Sequence, residues 1–140
     1  MSGQIEENRA EAPANGYSAA ALAYFGDVII ELLTRERLVR SGISDAGKLN
    51  REALSYVRAP MQSEALEKLL PHLTEEEEAL FRRGRNMGGS AHPKGATVQE
   101  YRRATGLEAL FGGLWLQGNE ARARELFALA YPSADRPEDL

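Results

Sequence analysis

The sequence predicts an all-α domain, and three observations carry that prediction. Thr74-Glu75-Glu76-Glu77 and Thr97-Val98-Gln99-Glu100 are capping boxes, in which a Thr and the Glu three residues on each serve the other's backbone N–H at a helix start. Apolar residues recur every three or four positions over long segments. No stretch shows the alternation of a half-buried strand, and no internal repeat is present.

The elements follow in order. Residues 1–16 hold acids, Pro13 and Gly16 with almost no large apolar side chain, and read as a disordered lead-in. Ser18 caps a helix to about Arg40, stopped by Ser41-Gly42. Its Leu22, Phe25, Val28, Ile29, Leu32 and Leu33 cover more than one face, which suits a central helix or a subunit contact. Ser44 opens a short helix to about Val57, broken by Ala59-Pro60. A third helix is expected from Met61 to Leu70, ahead of Pro71. The fourth starts at the Thr74 box; its acids Glu75 to Glu78 and its terminal Arg82, Arg83 and Arg85 complement the helix dipole. Asn86 to Ala96 carries four Gly or Pro among eleven residues and reads as a loop that includes His92. The Thr97 box starts a long helix to about Gln117, stopped by Gly118, and a last helix runs from Glu120 to about Tyr131. The domain therefore spans 17–132, with a flexible tail over 133–140.

Composition narrows the chemistry. The 140 residues are 43% hydrophobic and 27% charged, enough for one globular core. There is no cysteine, and His72 and His92 are the sole histidines, so a bound metal must be held by carboxylates. Carboxylates favour hard cations such as Mg²⁺ or Mn²⁺. No apolar run approaches the roughly 20 residues of a membrane span, and the polar N-terminus lacks the apolar stretch of a secretory signal. The expected location is the cytoplasm. The net charge of −4 disfavours a polyanion, yet the distribution is uneven. Arg82 to Arg103 holds six basic residues against the single acid Glu100, a local charge of +5, which leaves −9 for the rest.

Two carboxylates stand out. Asp27 and Glu108 each lie mid-helix among apolar neighbours, where Asp is a poor helix former and an unpaired charge is costly. A solvated stripe, a core arginine or a cation would offset that cost. The small neighbours Ala20, Ala23, Gly26 and Gly112 suggest room for a hydrated ion or a phosphate backbone. Glu31, one turn beyond Asp27, suits a salt bridge to Arg35 better than a third ligand position.

At these residues the chain resembles the ribonuclease III family. Leu22-Ala-Tyr-Phe-Gly-Asp27 with Val28 to Leu32 is similar to the family's signature helix, and Thr105-Gly-Leu-Glu108-Ala-Leu110 to its second acidic motif. Thr74 to Glu78, Arg83-Gly-Arg-Asn86, Pro93-Lys94 and Gln99-x-Tyr-Arg102 resemble the Mini-ribonuclease III branch. Ala20, Ala23 and Thr105 stand where larger family members carry further acids.

The resemblance implies a ribonuclease III-type helical endonuclease domain, homodimeric, cutting both strands of double-stranded RNA. It implies precursor 23S ribosomal RNA as substrate, with no separate RNA-binding domain. It also implies Asp27 and Glu108 as catalytic, metal-holding residues. Arg82, Arg83, Arg85, Asn86, Lys94, Arg102 and Arg103 are candidate RNA contacts, since A-form duplexes are read through phosphates, 2′-hydroxyls and shape. Phe111 and Trp115 are expected in the core or at the dimer contact. A catalytically silent RNA-binding or ribosome-associated scaffold is the alternative, and a helical protein-interaction module is a third reading.

Overall fold

A computed structural model describes residues 16–87 and 94–133; the lead-in up to residue 15, the loop segment with His92 and Pro93, and the tail from 134 lie outside the described residues. Among the described residues there are six α-helices and no strand: α1 (Ala19–Arg40), α2 (Ala46–Val57), α3 (Ala59–Leu69), α4 (Glu75–Arg85), α5 (Val98–Leu116) and α6 (Glu120–Ala130).

The local signals work as the sequence suggests. Ser18 Oγ accepts from the Ala21 N–H at 3.0 Å. In both capping boxes the two reciprocal bonds are made, at 2.9 and 3.1 Å for Thr74 with Glu77 and at 2.9 and 3.0 Å for Thr97 with Glu100. α1 and α5 stop before Gly42 and Gly118, both of positive φ.

Two boundaries differ from expectation. The cap of α2 is Asp45, whose carboxylate accepts from the Lys48 N–H at 2.8 Å, rather than Ser44. Pro60 does not separate α2 from α3 by standing outside both; it lies in the first turn of α3, where its missing N–H has no helical acceptor to satisfy. Past Leu69 the chain tightens into a 3₁₀ turn, Leu70–His72, that contains Pro71.

α5 is the centre of the molecule, with α1, α3 and α4 packed around it and α6 alongside. Every residue from Ala104 to Leu114 except Glu108 is buried. Phe111, in the core as anticipated, is fully enclosed, and Trp115 packs half-buried at its edge. Close approach is built into α5. Cβ atoms placed on Gly84 of α4 and Gly106 of α5 would lie 2.6 Å from Ala109 Cβ and 2.5 Å from the Phe81 ring. α2 buries no residue, and its last two residues, Tyr56 and Val57, pack partly buried against the core. Tyr56 stacks with Phe127 and packs tilted against Tyr131, and the Tyr131 hydroxyl donates to the Tyr56 carbonyl at 2.8 Å.

Glu75 to Glu78 were expected to serve α4's first turn alone. Glu77 does more, because it is buried and grips Arg122 of α6 through two bonds, at 2.8 and 2.9 Å. Arg122 also donates to the His72 carbonyl at 2.8 Å, so one guanidinium ties α6, α4 and the 3₁₀ turn together.

Candidate active site

Asp27 and Glu108 come together where α1 crosses α5. The two helices run antiparallel there, with Leu22 opposite Gly112 and Gly26 opposite Glu108. A Cβ on Gly26 would sit 1.6 Å from the Glu108 carbonyl oxygen, and one on Gly112 would sit 2.1 Å from the Leu22 carbonyl oxygen. The glycines next to the acids therefore do not leave an open space for an ion. They let the two backbones touch, and that contact sets the carboxyl groups side by side. Ala23 is likewise part of the core.

The two carboxyl groups lie within hydrogen-bonding reach of each other. Glu108 is half-buried and Asp27 is exposed. Burial pushes the Glu108 carboxyl up to about 8, and the charge and hydrogen bond of Asp27 push in the same direction. The one opposing influence is a hydrogen bond from Gln62 of α3, which favours the charged form.

Gln62 went unnoticed in the sequence. It lies one turn before Ala65 and Leu66 and two before Leu69, so it occupies a buried row otherwise filled by apolar residues. That polar residue at an apolar phase was the available signal. Its Nε2 donates to the Val57 carbonyl at 3.0 Å, while its Oε1 is buried with no hydrogen-bond partner.

Two carboxylates beside an unmatched amide oxygen form an all-oxygen donor set, which fits a hard divalent cation. Glu31 is not part of it, since Glu31 pairs with Arg35 at 3.1 Å as expected. Among the described residues no three His, Cys, Asp or Glu side chains cluster, so the acidic site consists of this pair.

The basic stretch divides in two. Arg82, Arg85, Asn86, Arg102 and Arg103 line a cavity of about 600 Å³ between the end of α4 and the start of α5, over a floor that includes Leu66, Phe81 and Val98. Arg82 faces Glu78 loosely at 3.9 Å, and Arg85 lies over the Phe81 ring at 5.4 Å while donating to the Asn86 side chain at 3.0 Å. Arg102 is exposed, as is Lys94 just ahead of α5. By contrast Arg103 turns inward to Glu67 and the Ser63 carbonyl, and Arg83 donates to the Tyr17 carbonyl. Both therefore carry framework contacts. Arg102 and Glu108 are ~9 Å apart along the α5 axis, from six residues at 1.5 Å each.

A stripe of exposed apolar side chains runs along α1: Tyr24 (82% exposed), Val28 (54%), Leu32 (45%) and Val39 (61%). The first three follow at intervals of four, on one face. Among the described residues no helix is long and apolar enough to cross a membrane.

The chain is similar to known proteins in both sequence and fold. A family profile described as the Ribonuclease III domain matches residues 20–119. A Mini-ribonuclease 3 from Symbiobacterium thermophilum is 44% identical over 115 residues, covering 82% of this chain and 88% of its own. The Mini-ribonuclease 3 from Thermosynechococcus vestitus is 39% identical over 117 residues, 84% of this chain and 76% of that one. A crystal structure of a protein from Fusobacterium nucleatum superposes with a TM-score of 0.72 at 32% identity, covering 79% of this chain and 88% of that chain.

Proposed function

Because the chain belongs to the ribonuclease III family of endoribonucleases, we propose that it cleaves double-stranded RNA with the help of a divalent cation held by Asp27 and Glu108. The observation that carries the reading is the carboxylate pair itself, set mid-helix at the α1–α5 crossing against the cost of placing two acids together. No packing need explains it. Mg²⁺ is the proposed cation, with Mn²⁺ as substitute; when bound it supplies charge neutralisation at the phosphate and acidification of water.

The chain's own residues do the rest. Asp27, exposed, and Glu108, half-buried, present oxygens at the foot of the crossing. Arg82, Arg85, Lys94 and Arg102 supply positive charge, and Asn86 an uncharged amide, along the α4–α5 junction for the sugar-phosphate backbone. Arg83 and Arg103 belong to the same basic stretch and hold that junction in place through Tyr17 and Glu67. The apolar stripe on α1 is proposed to pair with its equal on a second copy. A homodimer would bring two carboxylate pairs to one duplex, one per strand. The proposed physiological substrate is the terminal stem of precursor 23S ribosomal RNA in the cytoplasm.

The experiment is cleavage of a long RNA duplex with Mg²⁺, against single-stranded RNA and an EDTA control. Cutting should be confined to the duplex and should stop with EDTA. Asp27→Asn should lose activity by orders of magnitude while keeping its helical circular dichroism, because it removes charge but not shape. An active, folded Asp27→Asn protein would overturn the assignment. Duplex binding without any cleavage by the native chain would favour a silent RNA-binding scaffold instead.

A further inference from the structure

Gln62 is 1% exposed and sits among Ala65, Leu66 and Leu69, yet it is an amide. Its nitrogen donates to the Val57 carbonyl at 3.0 Å, and the amide lies within reach of the Glu108 carboxyl, whose charged form it favours. An amide NH₂ has two hydrogens to give, enough for both neighbours. Reversing the amide would set its oxygen against the Val57 carbonyl, so the chemistry fixes which end is nitrogen. Oε1 is then left buried with no partner. A buried acceptor without a donor is uncommon in folded proteins and destabilises them. A Leu in the same row would avoid that cost, so packing alone does not account for Gln62.

We propose that Gln62 is a positioning residue of the carboxylate pair: its N–H group holds the Glu108 carboxylate in place, and its Oε1 accepts a hydrogen bond from water in the shell of the cation held by Asp27 and Glu108. The inference rests on the metal-assisted reading above and concerns the buried wall of that site. Mg²⁺ and Mn²⁺ at carboxylate sites keep several waters, and each of those waters needs an acceptor on its outer side. On the exposed side solvent and phosphate oxygens provide them. On the buried side the unmatched acceptor is Oε1, on the same amide that already touches Glu108. Through Val57 the same side chain also ties the α2–α3 joint to the site, so the orientation of Glu108 depends on a fixed backbone point. Outer contacts of this kind orient the groups that touch the cation directly.

The test is Mn²⁺ binding to the full chain without RNA, measured by calorimetry for the native protein, Gln62→Leu and Gln62→Met, with cleavage kinetics alongside. Gln62→Leu keeps the bulk and removes donor and acceptor together. It should weaken Mn²⁺ binding about tenfold or more, and it should lower kcat while leaving KM for duplex RNA unchanged. Gln62→Met keeps the length of the side chain, offers no N–H and only a weak acceptor, and should weaken Mn²⁺ binding as Gln62→Leu does. A folded Gln62→Leu protein that binds Mn²⁺ as the native chain does would overturn the role of Gln62 and leave the metal-assisted reading intact. So would a Gln62→Met protein of near-native Mn²⁺ binding. If Gln62→Leu does not fold, Gln62→Met decides by itself: a loss of about tenfold supports the proposal and near-native binding overturns it. A native chain that binds no Mn²⁺ would instead overturn the metal-assisted reading, and this inference with it.

Discussion

Gly26 and Glu108 meet backbone to backbone, with no room between them for a methyl group. The contact is on the residue before Asp27, so the spacing of α1 from α5 is also the spacing of the two carboxylates. Packing and chemistry are set by the same few atoms.

Gly26→Ala should therefore damage both. The added Cβ would fall 1.6 Å from a backbone oxygen that cannot rotate away, so the helices must separate. A loss of at least about 3 kcal/mol is expected from overpacking at such a site. Urea unfolding measures it, and cleavage should vanish even at temperatures where the variant remains folded. A variant of native stability and activity would show that the crossing is looser than described.

Glu108→Gln should raise stability in EDTA while abolishing cleavage. The Glu108 carboxyl is raised from its usual 4.5 to about 8, first by burial and then by Asp27, so the folded chain holds its proton more tightly than the unfolded chain does. The corresponding stability is fully present below about 4.5 and is lost as pH rises through about 8. The native urea midpoint should fall across that window, the Gln variant should lack this component, and Mg²⁺, if the pair holds it as proposed, should restore the native chain at the upper end. Equal pH dependence in the two proteins would contradict the raised Glu108 carboxyl, and with it the burial of that group beside Asp27.

The buried ion pair predicts an acid-side effect of opposite sign. Arg122 holds the Glu77 carboxyl below its usual range, helped by the Thr74 backbone N–H against the cost of burial. A depressed pKa stabilises above the unfolded value and is lost as pH falls through the folded one. Arg122→Ala strands Glu77 and should cost roughly 3 kcal/mol at neutral pH. The gap between native and variant unfolding curves should close in acid, where Glu77 is protonated in both.

Val28→Asp should leave the monomer folded, because Val28 is exposed in the single chain. If the α1 stripe is the proposed subunit contact, light scattering should show the mass drop from twice 15.4 kDa to 15.4 kDa. Cleavage of both strands at one position should drop with it. An unchanged mass would move the contact elsewhere.

What was legible in the sequence was what is local. The two capping boxes need partners three residues apart, and both form as read. The six helices and the salt bridge from Glu31 to Arg35 follow from periodicity and i, i+4 spacing. Asp27 and Glu108 stood out because charge is costly inside an apolar pattern. Contacts between distant segments left no such trace. Gly26 looked like free space because nothing local shows that the Glu108 carbonyl fills it. Arg83 and Arg103 looked like their neighbours Arg82 and Arg102, since a basic run does not reveal which members turn inward to Tyr17 and Glu67. Arg122 lies 45 residues from Glu77, beyond any spacing rule. Pro60 read as a barrier because proline both ends one helix and starts the next.

The enclosure of α5 has a kinetic side. Amide protons buried from Ala104 to Leu114 can exchange with solvent only when the whole core opens, whereas the ends of α4 and α5 can fray without it. Glu108 thus rides on the slowest-opening segment of the chain, and Arg82, Arg85 and Arg102 ride on its faster margins. The part proposed to meet the sugar-phosphate backbone can move on short timescales, while the part that must keep two oxygens in register stays still between rare global openings.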